Sequence, residues 1–178
     1  MKIFRSLLVA GAAIALLSGC GSNNAEDSTA APAAQTDAVT SASIVNQADA
    51  FTKAVSAEGN WIVAILNDLT LDQDVVVAGE FHDKGTAGNA IYRKLALYAQ
   101  DADHKITATY TLTAPKVTVQ SENFRVQGGT IKGDVYVEAN GFNLYKDATI
   151  DGNLYFASEA IKESAAVDGK VTGTTGIK

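Results

Sequence analysis

The residues able to do chemistry are few: one cysteine and two histidines in 178 residues. The cysteine, Cys20, is a lone thiol at the end of an apolar run, and a thiol's chemistry is that of a nucleophile. His82 sits in Gly79-Glu80-Phe81-His82-Asp83. Glu80, His82 and Asp83 offer oxygen and nitrogen ligands but not at a spacing that any common metal site uses, so they read as solvated turn residues. Asp101, Asp103 and His104 form a loop before a strand at residues 105–112, with too few oxygens for calcium. Beyond the N-terminal segment the only arginines are Arg93 and Arg125, and Arg125, between Phe124 and Val126, is expected to point outward onto a solvated face. No Ser/His/Asp arrangement is present in the pattern. The expectation is therefore no catalytic residue, no metal ligand and no cofactor, and a chain that is not an enzyme.

What carries these residues begins with an export segment. Lys2 and Arg5 precede an apolar stretch, residues 6–17, which ends in Leu17-Ser18-Gly19-Cys20. A basic start, about a dozen apolar residues and small residues at the cut make a secretory signal, too short to span a bilayer as a helix. The Leu-Ser-Gly-Cys ending resembles the lipobox of bacterial lipoproteins. That resemblance implies cleavage after residue 19 and lipidation of Cys20, which becomes the new N-terminus. It also implies an extracytoplasmic chain attached to a membrane by its acyl groups. With no further cysteine, the exported part has no disulfide, and its core must hold itself together.

Residues 20–43 are expected to form a tether. After Cys20 they are mostly Ala, Ser, Thr, Asn, Asp and Gln, with Pro32 and no aromatic. Such a segment buries too little apolar surface to offset its chain entropy. Its reach of about 25–30 Å lifts the rest of the chain off the membrane. Residues 1–19 hold two of the 14 basic residues and none of the 20 acidic ones, so the chain beyond carries a net charge of −8. That balance, with no basic patch interleaved with aromatics, argues against a nucleic-acid partner.

Residues 44–178 make one domain. Residues 46–58 predict a short helix, with Phe51, Ala54 and Val55 on one face and Gly59 as its stop. The rest favours strands, and its last third repeats. Val117-Thr118-Val119, Val135-Tyr136-Val137 and Leu154-Tyr155-Phe156 open successive units, and Val171-Thr172 begins another, at spacings of 18, 19 and 17 residues. Each of the first three has a second apolar anchor seven residues on: Phe124, Phe142, Ile161. Gly133, Gly152 and Gly169 follow Ile131-Lys132, Ile150-Asp151 and Val167-Asp168 and mark a corner. This period is too short for a helical repeat but fits one coil of a β-solenoid, whose coils stack about 4.7–4.9 Å apart as parallel strands. The expected inward ladders are Val117/Val135/Leu154/Val171, Val119/Val137/Phe156, Phe124/Phe142/Ile161 and Ile131/Ile150/Val167. Residues 87–100 read as a loop with a helical turn feeding into a coil, with Ile91, Leu95 and Tyr98 on one helical face, although Leu95-Ala96-Leu97-Tyr98-Ala99 reads equally well as a strand.

In each opening triplet the middle residue faces out. Thr118, Tyr136, Tyr155 and Thr172 are thus the candidate binding residues, with the two tyrosines as an exposed aromatic ladder able to stack on sugar rings or on a protein partner. Tyr and Thr are also simply good strand residues, stacking on one another.

The helix, Trp61-Ile62-Val63-Ala64-Ile65 and Leu69-Thr70-Leu71 through Val75-Val76-Val77 resemble the opening of pectin-lyase-like right-handed β-helices, where a helix plugs the N-terminal end. The recurrent (Gly/Ala)-x-(Ile/Val)-x-Gly of residues 129–173 resembles bactofilin-type polymer-forming proteins. The domain as a whole is similar to surface lipoproteins of anaerobic Gram-positive bacteria. Two departures stand out: bactofilins lack a helical plug, and β-helical lyases carry clustered acidic and basic residues on an outer sheet. The fold class implied is all-β, a right-handed parallel β-helix with an N-terminal capping helix. The function implied is structural or adhesive, through cell-wall glycan or a homo-oligomer, on the outer leaflet of a Gram-positive cytoplasmic membrane (the outer membrane in a Gram-negative host). The alternative is a degenerate carbohydrate-active β-helix that binds or cleaves an acidic polysaccharide.

Overall fold

A computed structural model describes residues 42–178; Cys20, the export segment and nearly all of the expected tether lie outside the described residues. Of the described residues 43% are in strands and 12% in helices, and the strands are mostly parallel. The chain is therefore mostly β.

It enters at β1 (Ser43–Ile44), then forms helix α1 (Ala48–Val55). Phe51, Ala54 and Val55 are buried on one face of α1, at the i, i+3, i+4 spacing of a helix laid on a core. The chain then passes repeatedly through two sheets. β2 (Ile62–Ala64), β5 (Arg93–Ala96), β9 (Phe124–Gln127), β11 (Asn143–Leu144) and β14 (Ala166–Val167) stack in that order in the first, with β1 on the outer edge of β2. The second sheet holds two stacks. One contains β3 (Leu69–Thr70), β12 (Thr149–Asp151) and β15 (Lys170–Val171); the other contains β4 (Val75–Val77), β13 (Leu154–Phe156) and β16 (Thr175–Ile177). The long strands β8 (Thr111–Val119) and β10 (Thr130–Val137) run through both stacks. Their register shifts at Gly133, at φ +140°, where a Cβ would lie 1.9 Å from the Ala114 carbonyl oxygen. Only glycine fits that corner.

Inward-facing residues line up from pass to pass. One column is Val63, Leu95, Val126, Leu144, Val167; a second is Leu69, Leu112, Ile131, Ile150, Val171. A third is Val75, Val117, Val135, Leu154, Thr175, and a fourth Val77, Val119, Val137, Phe156, Ile177. Every member but the last is buried. Parallel strands covered on the inner face read as V-x-V because alternate residues turn outward.

The final pass departs from the sequence reading. Val167 stands on Leu144, not on Ile150, and Val171 stands on Ile150, not on Leu154. The cause is an unforeseen helix, α2 (Glu159–Ser164), which lengthens the corner before β14 and displaces the repeat. The side chain of Ser158 caps it by accepting the Ile161 N–H at 3.3 Å. Ile161, expected as a strand anchor, instead packs from α2 as a partly buried residue. Residues 87–100 are also less helical than expected. A 3-10 turn at Asp83–Gly85 precedes β5, and β6 (Tyr98–Gln100) with β7 (Ile106–Thr109) makes an antiparallel hairpin. Asp101 closes that hairpin, its carboxylate accepting the N–H groups of Asp103 and Lys105.

Candidate functional site

The tyrosine ladder forms on the outer side of the second sheet. Tyr136 and Tyr155 are register partners in β10 and β13, their rings 5.1 Å apart and tilted by 45°. Thr118 continues the column on one side, and Val76 lies beyond it. On the other side the partner of Tyr155 is Gly176. Thr172 therefore does not belong to the ladder; its hydroxyl donates to Asp151 at 2.9 Å, one stack away. Thr118 is not exposed either, at 8%, and the two tyrosines are half-buried.

Their surroundings are already satisfied. Lys178 donates to the Tyr136 hydroxyl at 3.0 Å, and its ammonium lies 4.5 Å from the centre of the Tyr155 ring. The hydrogen bond to Tyr136 holds the Lys178 pKa above its usual value. Lys116 lies 5.7 Å over the Tyr136 ring and pairs with Asp74 at 2.9 Å; its pKa is raised first by the hydrogen bond to Asp74 and then by that residue's charge. Beside the rings, Asp134 accepts the backbone and side-chain N–H groups of Asn153, and Asn153 in turn accepts from Thr174. Cations stacked on ring faces take up the surface a sugar would use.

The outer side of the first sheet carries a second, richer cluster. Along one column lie Ile62, Lys94, Arg125 and Asn143. Arg125 donates from Nε to Asn143 Oδ1 at 3.1 Å, and its guanidinium lies 5.2 Å from the Tyr145 ring centre and 5.7 Å from that of Tyr92. Lys94 donates to the Tyr98 hydroxyl at 2.8 Å. Trp61 meets Tyr92 with ring centres 6.2 Å apart. Burial, then the Arg125 charge, lowers the Lys94 pKa. Burial raises those of Tyr92 and Tyr98. Arg125 faces outward, as its place between Phe124 and Val126 implies. Lys94 escapes sequence reading because it lies in a segment that reads as a loop; the alternation Tyr92-Arg93-Lys94-Leu95 is its only sequence signal.

Arg93 has a different role from Arg125. It is 1% exposed and donates to the carbonyls of Asn60, Ala78, Ala54 and Ser56 and to the Ser121 hydroxyl, with its guanidinium 4.1 Å from the Phe81 ring centre. Ala54 and Ser56 lie at the C-terminal end of α1, so Arg93 takes up carbonyls that the helix leaves unpaired and places a cation at the negative end of its dipole. Burial lowers its pKa to about 10, which leaves it charged at neutral pH.

His82 contacts Glu80 at 3.2 Å and the Asn89 carbonyl at 2.8 Å, while Asp83 begins the 3-10 turn. Among the described residues no three His, Cys, Asp or Glu side chains converge as metal ligands. Nor, among them, is any helix long and apolar enough to cross a membrane. Comparison with protein-family models, curated proteins and solved structures gave no match.

Proposed function

We propose that the chain is a membrane-anchored extracytoplasmic lipoprotein, lipidated at Cys20, whose folded part is a right-handed parallel β-helix with a structural or adhesive role. The columns of parallel register partners support the β-helix, and crossovers between parallel strands of one sheet are almost always right-handed. The export segment and the lone cysteine at its end support the anchor. Within this role the preferred contact is with a second copy of the chain, alongside contact with cell-envelope polymer.

One observation carries that preference: Val167 and Ile177, the last members of two core columns, are 39% and 48% exposed on strands at the edge of their sheets. Full burial of such a side chain is worth about 1.5–3 kcal/mol, and a monomer forgoes the part of it that belongs to the exposed 39% and 48%. The unpaired N–H and C=O groups of β14, β15 and β16 add a template for pairing. At the opposite end α1 covers the core, so stacking closes as an isologous pair and does not grow into a filament.

The test is a cross-link. In residues 21–178, which lack Cys20, Val167→Cys introduces a unique thiol at the open end and Lys53→Cys one on the plugging helix. Mild oxidation is expected to give disulfide-linked dimer from the first and not the second. Equal yields from both, or none from either, would defeat the end-to-end contact. The anchor is tested separately, by loss of incorporated fatty acid and of membrane attachment in Cys20→Ser.

A further inference from the structure

Lys94 and Arg125 are direct register partners in neighbouring parallel strands. Like charges placed directly opposite across a sheet destabilise it. The chain has 20 acidic residues to 14 basic ones, yet no carboxylate among the described residues lies within 4.0 Å of either cation. The ion pairs found there belong to His82, Lys116 and Lys162. Asp147 exerts a weaker pull on Lys94 from farther off, and its Oδ1 already accepts the Gly128 N–H at 2.9 Å. The hydrogen-bond partners of the two cations are neutral: Asn143 for Arg125, the Tyr98 hydroxyl for Lys94. A guanidinium fork has five donors, and these contacts leave part of it unfilled.

The geometry points to a binding site for an acidic glycan at Lys94 and Arg125. The oxyanion of the glycan, a carboxylate or a phosphate, lies between the ammonium and the guanidinium and relieves their repulsion, with the bidentate geometry Arg offers such groups. The partly exposed ring of Trp61, 6.2 Å from that of Tyr92, flanks it and supplies a face for the attached sugar. The tyrosine pair of the second sheet lacks this character, since Lys116 there is already paired with Asp74. This deepens the proposed contact with envelope polymer; it rests on that reading only for access to such a polymer.

Trp61 is the only tryptophan of the chain, so its fluorescence reports on this face directly. Residues 21–178 are titrated with oligogalacturonate, with a glycerol-phosphate polymer and with neutral dextran. A saturable change is expected with an acidic polymer, weakening as salt rises, and none with dextran. Response to oligogalacturonate alone identifies a carboxylate source, and response to the glycerol-phosphate polymer alone a phosphate source. Arg125→Gln and Lys94→Met are each expected to weaken binding on the order of tenfold or more, and Tyr155→Ala to leave it unchanged. Each substitution relieves the repulsion between Lys94 and Arg125 and removes no core contact, so both variants are expected to melt no lower than the parent. No response to either acidic polymer, an equal response to dextran, or unchanged affinity in the double variant would overturn the site. A chain that dimerises but does not bind refutes this inference and leaves the scaffold reading standing.

Discussion

The two ends of the stacked strands are built from the same columns and finished differently. At the N-terminal end the first members, Val63, Leu69, Val75 and Val77, are at most 6% exposed, with Phe51, Ala54 and Val55 of α1 in the same core cluster. Arg93 then ties the end of that helix to the loops around β2 and β4 through Asn60, Ala78, Ala54 and Ser56. At the C-terminal end the column members are Val167, Val171, Thr175 and Ile177, none buried, and α2 packs only Ile161 partway onto the core. A repeating core needs an end piece wherever its inner face would meet water. Among the described residues α1 is one end piece, and the proposed second copy supplies the other.

The comparison breaks most readily at the plug. Phe51→Ala empties a fully buried site between α1 and the first strands and is expected to cost about 3–5 kcal/mol, read from the denaturant midpoint at constant m. Arg93→Met is expected to cost about 3 kcal/mol, because it leaves the Asn60 and Ala78 carbonyls without their donor beside the end of α1. The sign of its pH dependence follows from burial. Arg93 keeps its proton in both folded and unfolded chains below about pH 10, so the loss should be the same at any pH between about 5 and 9. Only above that, where the unfolded chain holds a proton the native one has shed, does its burial penalty ease and stability from this residue rise with pH. Urea titrations of both proteins across that range check this. At the other end Ile177→Ala is expected to cost under about 1 kcal/mol in a dilute monomer, since half of its surface is never buried. Its partner one pass earlier, Phe156, is buried, and Phe156→Ala should behave like Phe51→Ala.

The same asymmetry decides how much could be read from the sequence. The period-two triplets Val117-Thr118-Val119, Val135-Tyr136-Val137 and Leu154-Tyr155-Phe156 announce themselves, because one covered and one open face impose strict alternation. The face of α1 is legible for the parallel reason at period 3.6. The last pass is misregistered because an inserted helix breaks the spacing, although Ser158 before Glu159, with Lys162 in the last turn, is a start signal in plain view. That slip places Thr172 in the tyrosine column, where Gly176 stands.

Lys94 opposite Arg125 is beyond sequence reasoning. Their register depends on where β5 leads into β9, and the hairpin of β6 and β7 lies between them. The burial of Arg93 beside the outward Lys94 follows from simple alternation once β5 is known to be a strand, and residues 87–100 offer no periodicity strong enough to say so.

The most direct test of the unequal ends is size-exclusion chromatography with light scattering on residues 21–178, over a range of concentrations, beside the variant V167E/I177E. Twice the monomer mass at high concentration, falling to monomer on dilution and monomer throughout in the variant, is the predicted result. A parent protein that stays monomeric at every concentration, or a variant that dimerises as well as the parent, would contradict association through the uncovered end.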